Sequence, residues 1–221
     1  MKNIIHFLII LPLFLIGCVE KTDINSNYLT GTILKYTSES IDSIVCVNIE
    51  LDSQLYPTGK YYRISKSLIT EVGKFEVQLS TPIYFSPFLD SITQKELKSD
   101  STWIVGTMKI YAYKNGNKIG ELCKCNEQYY SNTTSYTSKL GETVSVFFYS
   151  NIETNIFGTL YKNGNKKPDL FDMNILKGWN EIFFAIKTDS IVRDNPAYQR
   201  HIELTNETTE KMDWRLISEN R

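Results

Sequence analysis

The chain has 221 residues, with 24 basic and 25 acidic side chains and a formal net charge of −1. This balance, without a basic stripe along the sequence, leaves no electrostatic footprint for binding nucleic acid. The two histidines, His6 and His201, are too few for a histidine-rich metal site, and we predict neither a metal nor a cofactor. The sequence also lacks the motifs of serine hydrolases, zinc proteases and phosphate-binding loops, so we predict a protein that is not an enzyme.

The first residues have the pattern of a secretory signal. Lys2 precedes an almost unbroken apolar stretch at 4–16, which is too short to span a bilayer but fits the core of a signal peptide. The stretch ends in Leu-Ile-Gly-Cys at 15–18, which resembles the bacterial lipobox. The resemblance implies that residues 1–17 are a lipoprotein signal peptide and that Cys18 carries acyl chains such as palmitate, which together anchor stably. An ordinary signal peptide with a chance Gly-Cys pair is the alternative.

Residues 18–29 are polar and predict a flexible, lipidated tether. Glu20 and Asp23, soon after the cysteine, partly resemble the surface-export signal of Bacteroidota lipoproteins. The resemblance implies an outer-membrane lipoprotein of the cell envelope, with exposure at the cell surface as a further expectation. We therefore expect the protein to reach the membrane through its N-terminal lipid.

From residue 30 onwards, short runs rich in β-branched and aromatic residues alternate with turn formers, as in β-strands. In the run 142–150, Val144, Val146 and Phe148 share one face, which predicts an antiparallel sheet with one face packed inside. Only residues 93–98 have a pattern that could form a helical turn or two. The predicted fold class is mainly β: an antiparallel β-sandwich with very little helix.

A polar, charged stretch at 91–101 suggests two lobes, an N-terminal β lobe at 30–98 and a C-terminal β-sandwich lobe at 102–221. Three motifs occur in order along these lobes: GKFEVQLSTP at 73–82, YAYKNGNKIGEL at 111–122 and LKGWNEIFFAI at 176–186. Together they resemble a group of Bacteroidota envelope lipoproteins of unknown function. The resemblance implies immunoglobulin-like or transthyretin-like β lobes and a GWN turn before a late core strand, and it implies no activity.

The GWN motif at 178–180 also has a physical interpretation of its own. Gly178 can adopt a positive φ, Trp179 can plug the end of the sandwich, and Asn180 can bond the backbone of its own turn. A Trp179 that stacks on a sugar is the alternative.

The hexapeptide YKNGNK occurs twice, at 113–118 and at 161–166. Asn-Gly between alternating apolar runs is the strongest short signal for a hairpin, because a type I′ turn needs a positive φ at both central residues. The similarity between the two copies does not extend into the strands that follow. We therefore predict two separate hairpins rather than a duplicated module, and assign no functional role to either copy.

Two groups of tyrosines are the candidate ligand contacts. One lies in a long, mostly uncharged segment at 126–141, and the other surrounds the sequence YPTGKYY. Exposed tyrosines beside small polar residues suit a carbohydrate or protein partner. The alternative is a pair of hairpins whose tyrosines cover the edge of the sandwich. The six candidates are Tyr129, Tyr130 and Tyr136 in the first group, and Tyr56, Tyr61 and Tyr62 in the second.

Four short motifs concern modification rather than binding. Asp-Ser-Ile occurs three times and Asp-Ser-Thr once, and both resemble the Asp-Ser/Thr-apolar acceptor of Bacteroidota O-glycosylation. The alternative is that Asp-Ser before an apolar residue simply leads from a turn into a strand. The candidate O-glycan sites are Ser43, Ser91, Ser101 and Ser190.

The predicted function is a membrane-anchored envelope lipoprotein that serves as a non-catalytic binding or assembly module for a glycan or an envelope protein. One alternative is a carboxylate-dependent hydrolase of envelope glycans or peptides, which requires two facing carboxylates about 5–10 Å apart. Another is a structural accessory of an outer-membrane complex, which requires a contiguous exposed apolar patch. A glycan binder instead predicts tyrosines that flank a groove containing Asn, Gln or Arg.

Overall fold

The computed structural model describes residues 24–25, 27–36, 41–51, 57–87, 104–132, 140–160, 169–190 and 199–218. The predicted signal peptide, Cys18 and the possible helical turns at 93–98 lie outside these ranges. Within them, no helix has the length and apolar character needed to cross a membrane.

The described residues form fourteen strands and one short helix, which confirms a mainly β fold with very little helix. The helix, α1, is Glu127–Asn132. The strands are β1 (Ile24–Asn25), β2 (Tyr28–Thr32), β3 (Ser43–Leu51), β4 (Pro57–Leu68), β5 (Lys74–Gln78), β6 (Ser86–Pro87), β7 (Ile104–Lys114), β8 (Asn117–Cys125), β9 (Thr143–Ser150), β10 (Thr154–Leu160), β11 (Asp169–Ile175), β12 (Gly178–Ser190), β13 (Gln199–Thr205) and β14 (Asp213–Ser218).

These strands build two sheets that face each other in a sandwich-like arrangement. The smaller sheet has the order β1-β2-β5, and the larger has the order β10-β11-β13-β12-β9-β8-β7-β3-β4. Two further strands join the larger sheet, β14 beside β8 and β6 beside β7. Among the described strands, β11 and β13 pair in parallel and every other strand pair is antiparallel.

Strands from both predicted lobes belong to the larger sheet. β3, from the segment 30–98, pairs with β7, from the segment 102–221, over the register from Ser43 opposite Tyr113 to Asn48 opposite Met108. The smaller sheet also reaches the C-terminal segment, because Ile33 forms an isolated bridge with Trp214. The two segments therefore share both a sheet and a core.

The core between the sheets follows from simple alternation. In β5, KFEVQ, Phe75 and Val77 are buried while the residues on either side of them are exposed. Phe75 meets Trp214 edge-on with ring centroids 5.1 Å apart, and Phe147 stacks on the same indole at 5.7 Å. Burying such side chains stabilises the fold by about 1.5–3 kcal/mol each. Trp214 thus joins the smaller sheet to the larger one.

Strand β9 departs from the prediction that only one of its faces is packed inside. Phe147 belongs to the core beneath the smaller sheet, whereas its neighbour Phe148 belongs to a second core with Ile156, Met173 and Ile182. The prediction is wrong because Phe147 and Phe148 point to opposite faces of β9 and each is buried in a different core, although Val146 is 37% exposed.

The GWN motif has the structure that its physical interpretation predicts. Gly178 has a φ of 110°, and Trp179 is 6% exposed, with its Nε1–H donating to the Ser80 carbonyl at 3.1 Å. The amide of Asn180 accepts from the Leu176 N–H at 2.9 Å and donates to the Leu176 and Gly178 carbonyls. Trp179 is therefore a core residue, and its burial rules out the sugar-stacking alternative.

The first YKNGNK copy forms the predicted type I′ turn. Asn115 and Gly116 have φ values of 50° and 78°, and Lys114 pairs with Asn117 across the turn. The second copy lies outside the described residues, although the strands that flank it, β10 and β11, pair antiparallel.

Candidate functional site

An open groove with a volume of about 630 Å³ runs across β3, β4, β7 and β8 on the outer face of the larger sheet. This volume falls within the range of ordinary ligand sites, about 300–1,000 Å³. Its lining combines three tyrosines, three basic side chains and a floor of small or branched residues. These are Tyr61, Tyr111 and Tyr113; Arg63, Lys66 and Lys118; and Ser43, Val45, Val47 and Gly116. We call this site the tyrosine groove.

The strand register explains why these residues share one face. Val45 on β3 lies opposite Lys66 on β4 and Tyr111 on β7, so one row of side chains crosses the groove. Directly opposed residues in an antiparallel pair point to the same face of the sheet. A register shift between Cys46 and Val47 then places Arg63 opposite Val47. This irregularity brings Arg63 and Lys66, three positions apart, to the same side of the sheet.

Two of the tyrosines form an aromatic corner. Tyr61 and Tyr111 meet edge-to-face, with ring centroids 6.0 Å apart and an interplanar angle of 75°. The Lys118 Nζ lies 4.6 Å from the centroid of the Tyr111 ring, which is a cation–π distance. Tyr61 is 48% exposed, so its ring is accessible to a ligand entering the groove.

The hairpin that carries Lys118 is fastened to the end of the groove by Asp42. The backbone N–H of Asn115 donates to Asp42 Oδ2 at 2.6 Å, and the Ser43 hydroxyl donates to Oδ1 at 2.9 Å. The Asp42 N–H in turn donates to the Tyr113 carbonyl at 2.9 Å. The hydrogen bond from Asn115, followed by that from Ser43, lowers the pKa of Asp42, which keeps this carboxylate ionised.

Among the described residues, no carboxylate lines the tyrosine groove, so its lining is cationic. The nearby carboxylates have partners of their own. Glu121 pairs with Lys109 at 3.0 Å, and Glu50 pairs with Lys60 at 3.1 Å. The Tyr62 hydroxyl also donates to Glu50, and this bond is the main reason why the pKa of Glu50 is lowered.

No family model, no curated protein and no solved structure matches the chain. What the groove does must therefore be argued from its own side chains.

The second predicted tyrosine group contributes one residue to the groove. Tyr61 lines it, whereas Tyr62 lies on the opposite face of β4, because successive residues of a strand alternate between faces. The Tyr62 hydroxyl is 2.5 Å from Glu50 Oε2. Tyr56 lies outside the described residues.

Two tyrosines of the first predicted group, Tyr129 and Tyr130, lie in α1 and do not line the groove. Asn126 caps this helix, since its Oδ1 accepts from the Tyr129 N–H at 2.9 Å. Tyr129 is half-buried, and burial raises the pKa of its hydroxyl. The Tyr130 ring packs 4.9 Å from the Arg215 guanidinium. Both side chains thus have structural contacts, and Tyr136 lies outside the described residues.

The candidate modification sites are placed as follows. Ser43 is 3% exposed on the floor of the groove, so a glycosyltransferase acting on the folded chain would reach little of it. Ser190 is the last residue of β12, and Ser91, Ser101 and Cys18 lie outside the described ranges. The part of the chain that the structure describes contains no group of three or more His, Cys, Asp or Glu able to hold a metal ion.

Sequence reasoning missed two of the three groove tyrosines, Tyr111 and Tyr113, and the role of the first YKNGNK copy, which supplies Tyr113, Gly116 and Lys118. One signal was available. Tyr111 and Tyr113 are two positions apart on a predicted strand, so they had to share a face. The sequence did not reveal that β3 would pair with both β4 and β7 and so bring Tyr61 beside these two tyrosines.

Proposed function

We propose that this protein is a membrane-anchored envelope lipoprotein whose β-sandwich binds carbohydrate in the tyrosine groove without catalysing a reaction. The observation that carries the proposal is the aromatic corner of Tyr61 and Tyr111 beside Arg63 in an open groove. A sugar ring has an apolar face of C–H groups that packs on an aromatic ring. Its hydroxyls at the ring edge bond to donors such as guanidinium, ammonium and phenol groups.

The groove fits binding better than hydrolysis. Glycoside hydrolysis uses two carboxylates that face each other across the scissile bond. The lining of the groove, as far as the structure describes it, offers cations and phenols in place of such a pair. A hydrolase would therefore need a different site from this one.

The binding proposal is tested by removing rings from the groove. Screening the purified protein against a glycan panel, followed by calorimetry on the best ligand, gives the reference Kd. We expect Tyr61→Ala and Tyr111→Ala each to weaken binding about five- to tenfold, because a stacked ring contributes about 1 kcal/mol or more.

The matched control is Tyr28→Ala. Tyr28 is 41% exposed on β2, in the smaller sheet, and does not line the groove. This variant should bind like the wild type. A glycan that binds all three variants equally well would place its site elsewhere and contradict the proposal.

The anchoring part of the proposal is tested at Cys18. The lipobox cysteine provides the thiol that is lipidated before the signal peptide is cut, so Cys18→Ala should leave an unprocessed, poorly anchored precursor. Globomycin-treated cells, in which lipoprotein signal cleavage is blocked, provide the size standard on a gel. Processing and membrane attachment of Cys18→Ala at wild-type levels would refute the lipoprotein assignment.

A further inference from the structure

We propose that the ligand of the tyrosine groove is an acidic glycan, bound through oxyanions that pair with Arg63, Lys66 and Lys118. This inference rests on the carbohydrate binding proposed above and specifies the chemical class of the sugar. The three basic side chains lie within one groove beside its tyrosines, and all three are exposed.

The charged side chains among the described residues that line the groove are all basic. The lining has three cations and, among the described residues, no carboxylate. Asp42 does not line the groove; it accepts from the Asn115 N–H and the Ser43 hydroxyl and also interacts electrostatically with Lys66. A groove of one sign attracts a ligand of the opposite sign and raises its local concentration.

The three basic groups are also placed by the fold. The register shift in β4 turns Arg63 and Lys66 to the same face, and the type I′ turn brings Lys118 back over the Tyr111 ring. A guanidinium presents a planar fork that binds a carboxylate or sulfate through two hydrogen bonds, and an ammonium acts as a point charge. A sugar stacked on Tyr61 could thus direct its acidic substituents to either kind of donor.

A neutral glycan would use this groove less well. It would stack on the tyrosines but leave three cations facing hydroxyl groups, which bind them more weakly than oxyanions do. An acidic polymer supplies a repeated charge along its length, which matches cations on two strands of the sheet, β4 and β8.

The test compares glycans that differ in charge alone. Two pairs serve as probes: polygalacturonate with its methyl-esterified form, and dextran sulfate with dextran. The first pair tests carboxylates and the second tests sulfates on the same apparatus, such as affinity electrophoresis or biolayer interferometry. We expect at least one acidic member to bind about tenfold or more tightly than its neutral partner, since hydrogen bonds to charged groups are stronger than those between neutral groups.

Three variants locate the effect. Arg63→Gln, Lys66→Gln and Lys118→Gln should each weaken binding of the acidic glycan about three- to tenfold, and the triple variant should lose the preference for charge. Lys211→Gln is the matched control, because the Lys211 side chain is 83% exposed and lies outside the groove. This variant should bind the acidic glycan like the wild type. Raising salt from about 0.1 M to about 1 M shortens the Debye length from about 10 Å to about 3 Å and should weaken wild-type binding more than triple-variant binding.

The outcomes separate the two proposals. Equal binding of acidic and neutral members, with loss in Tyr61→Ala, would refute the acidic ligand and leave carbohydrate binding intact. No binding to any glycan would overturn both. If the triple variant folded normally, with an unchanged circular dichroism spectrum, and still preferred the acidic member, the charged groups of the glycan would bind outside the groove. That result would refute the assignment of the acidic ligand to Arg63, Lys66 and Lys118.

Discussion

Lys124 and Glu181 form a buried ion pair in the interior of this protein. Their side chains are 1% and 0% exposed, and Lys124 Nζ lies 3.3 Å from Glu181 Oε1. The Ser145 hydroxyl donates to the same carboxylate oxygen at 2.6 Å, and the Phe183 ring lies 5.5 Å from the ammonium. The pair lies in the interior of the sheet and is closed to solvent, in contrast to the open, cationic tyrosine groove.

Removing one partner of this buried pair should be costly. Lys124→Met leaves the Glu181 carboxylate buried without its counter-charge, and we expect the free energy of unfolding to fall by about 3–5 kcal/mol. Replacing both, as Lys124→Met with Glu181→Leu, should restore much of that loss, because an apolar pair has no charge to desolvate. Urea denaturation followed by circular dichroism measures both changes.

Lys187→Met is the control for that experiment. Lys187 pairs with Glu203 at 3.0 Å, but these side chains are 47% and 30% exposed. Breaking a solvated pair of this kind costs at most about 1 kcal/mol. If Lys124→Met were no more destabilising than Lys187→Met, burial of the Lys124–Glu181 pair would not increase the cost of removing one partner.

Helix α1 illustrates an element that exists only through its contacts. Six residues are too few for a helix to be stable alone. Asn126 caps it at one end, and its Nδ2–H donates to the Gly141 carbonyl at 2.7 Å. Arg215, from β14, pairs with Glu127 Oε2 at 2.7 Å and stacks on Tyr130. Asn126 directly precedes the helix, but Arg215 lies far away in the sequence, so local periodicity could not have predicted this contact.

The Arg215–Glu127 contact should make the stability of this region depend on acid. The hydrogen bond from Arg215 is the main reason why the pKa of Glu127 lies below its usual 4.5. A lowered carboxylate pKa gives a stabilisation that is complete above about pH 4.5 and is lost as pH falls through the lower, folded-state pKa. The thermal midpoint of the wild type should therefore exceed that of Glu127→Gln at pH 7, and the difference should shrink as the pH falls below about 4.5.

Glu210→Gln, which removes a carboxylate from the segment before β14, is the control and should not reproduce this convergence. If the difference in thermal midpoint between the wild type and Glu127→Gln stayed constant from pH 7 to pH 3, protonation of the Glu127 carboxylate would not affect stability.

Local chemistry made some elements predictable and left others hidden. Alternation identified β5, Asn-Gly identified the turn at 115–116, and GWN identified a buried tryptophan, because each depends on neighbours in the sequence. The tyrosine groove depends instead on the register of β3 against β4 and β7, which joins Tyr61 to Tyr111. The burial of β9 on both faces likewise depends on the position of that strand within the sheet. Both features are set by long-range pairing, which composition and spacing do not reveal.

At the scale of the whole molecule, the shared core governs stability. Trp214 contacts Phe75 from the smaller sheet and Phe147 from the larger one, and Trp179 bonds to the Ser80 carbonyl. The core between the two sheets is built from residues of both predicted lobes, whereas the second core, around Ile156 and Met173, lies within the C-terminal segment. The tyrosine groove also spans them, with Arg63 in one and Lys118 in the other.

This arrangement predicts that the chain unfolds as one cooperative unit. Tryptophan fluorescence and far-ultraviolet circular dichroism should give the same urea midpoint, since the core between the two sheets is shared by the two segments and couples their unfolding. Trp214→Ala removes a buried ring and should lower the free energy of unfolding by about 3–5 kcal/mol. Because Trp214 contacts both segments, both signals should shift to lower urea together, with Trp179 still reporting by fluorescence. Two separated transitions, of which Trp214→Ala shifted only one, would instead show that the lobes fold independently and that the contacts between them contribute little.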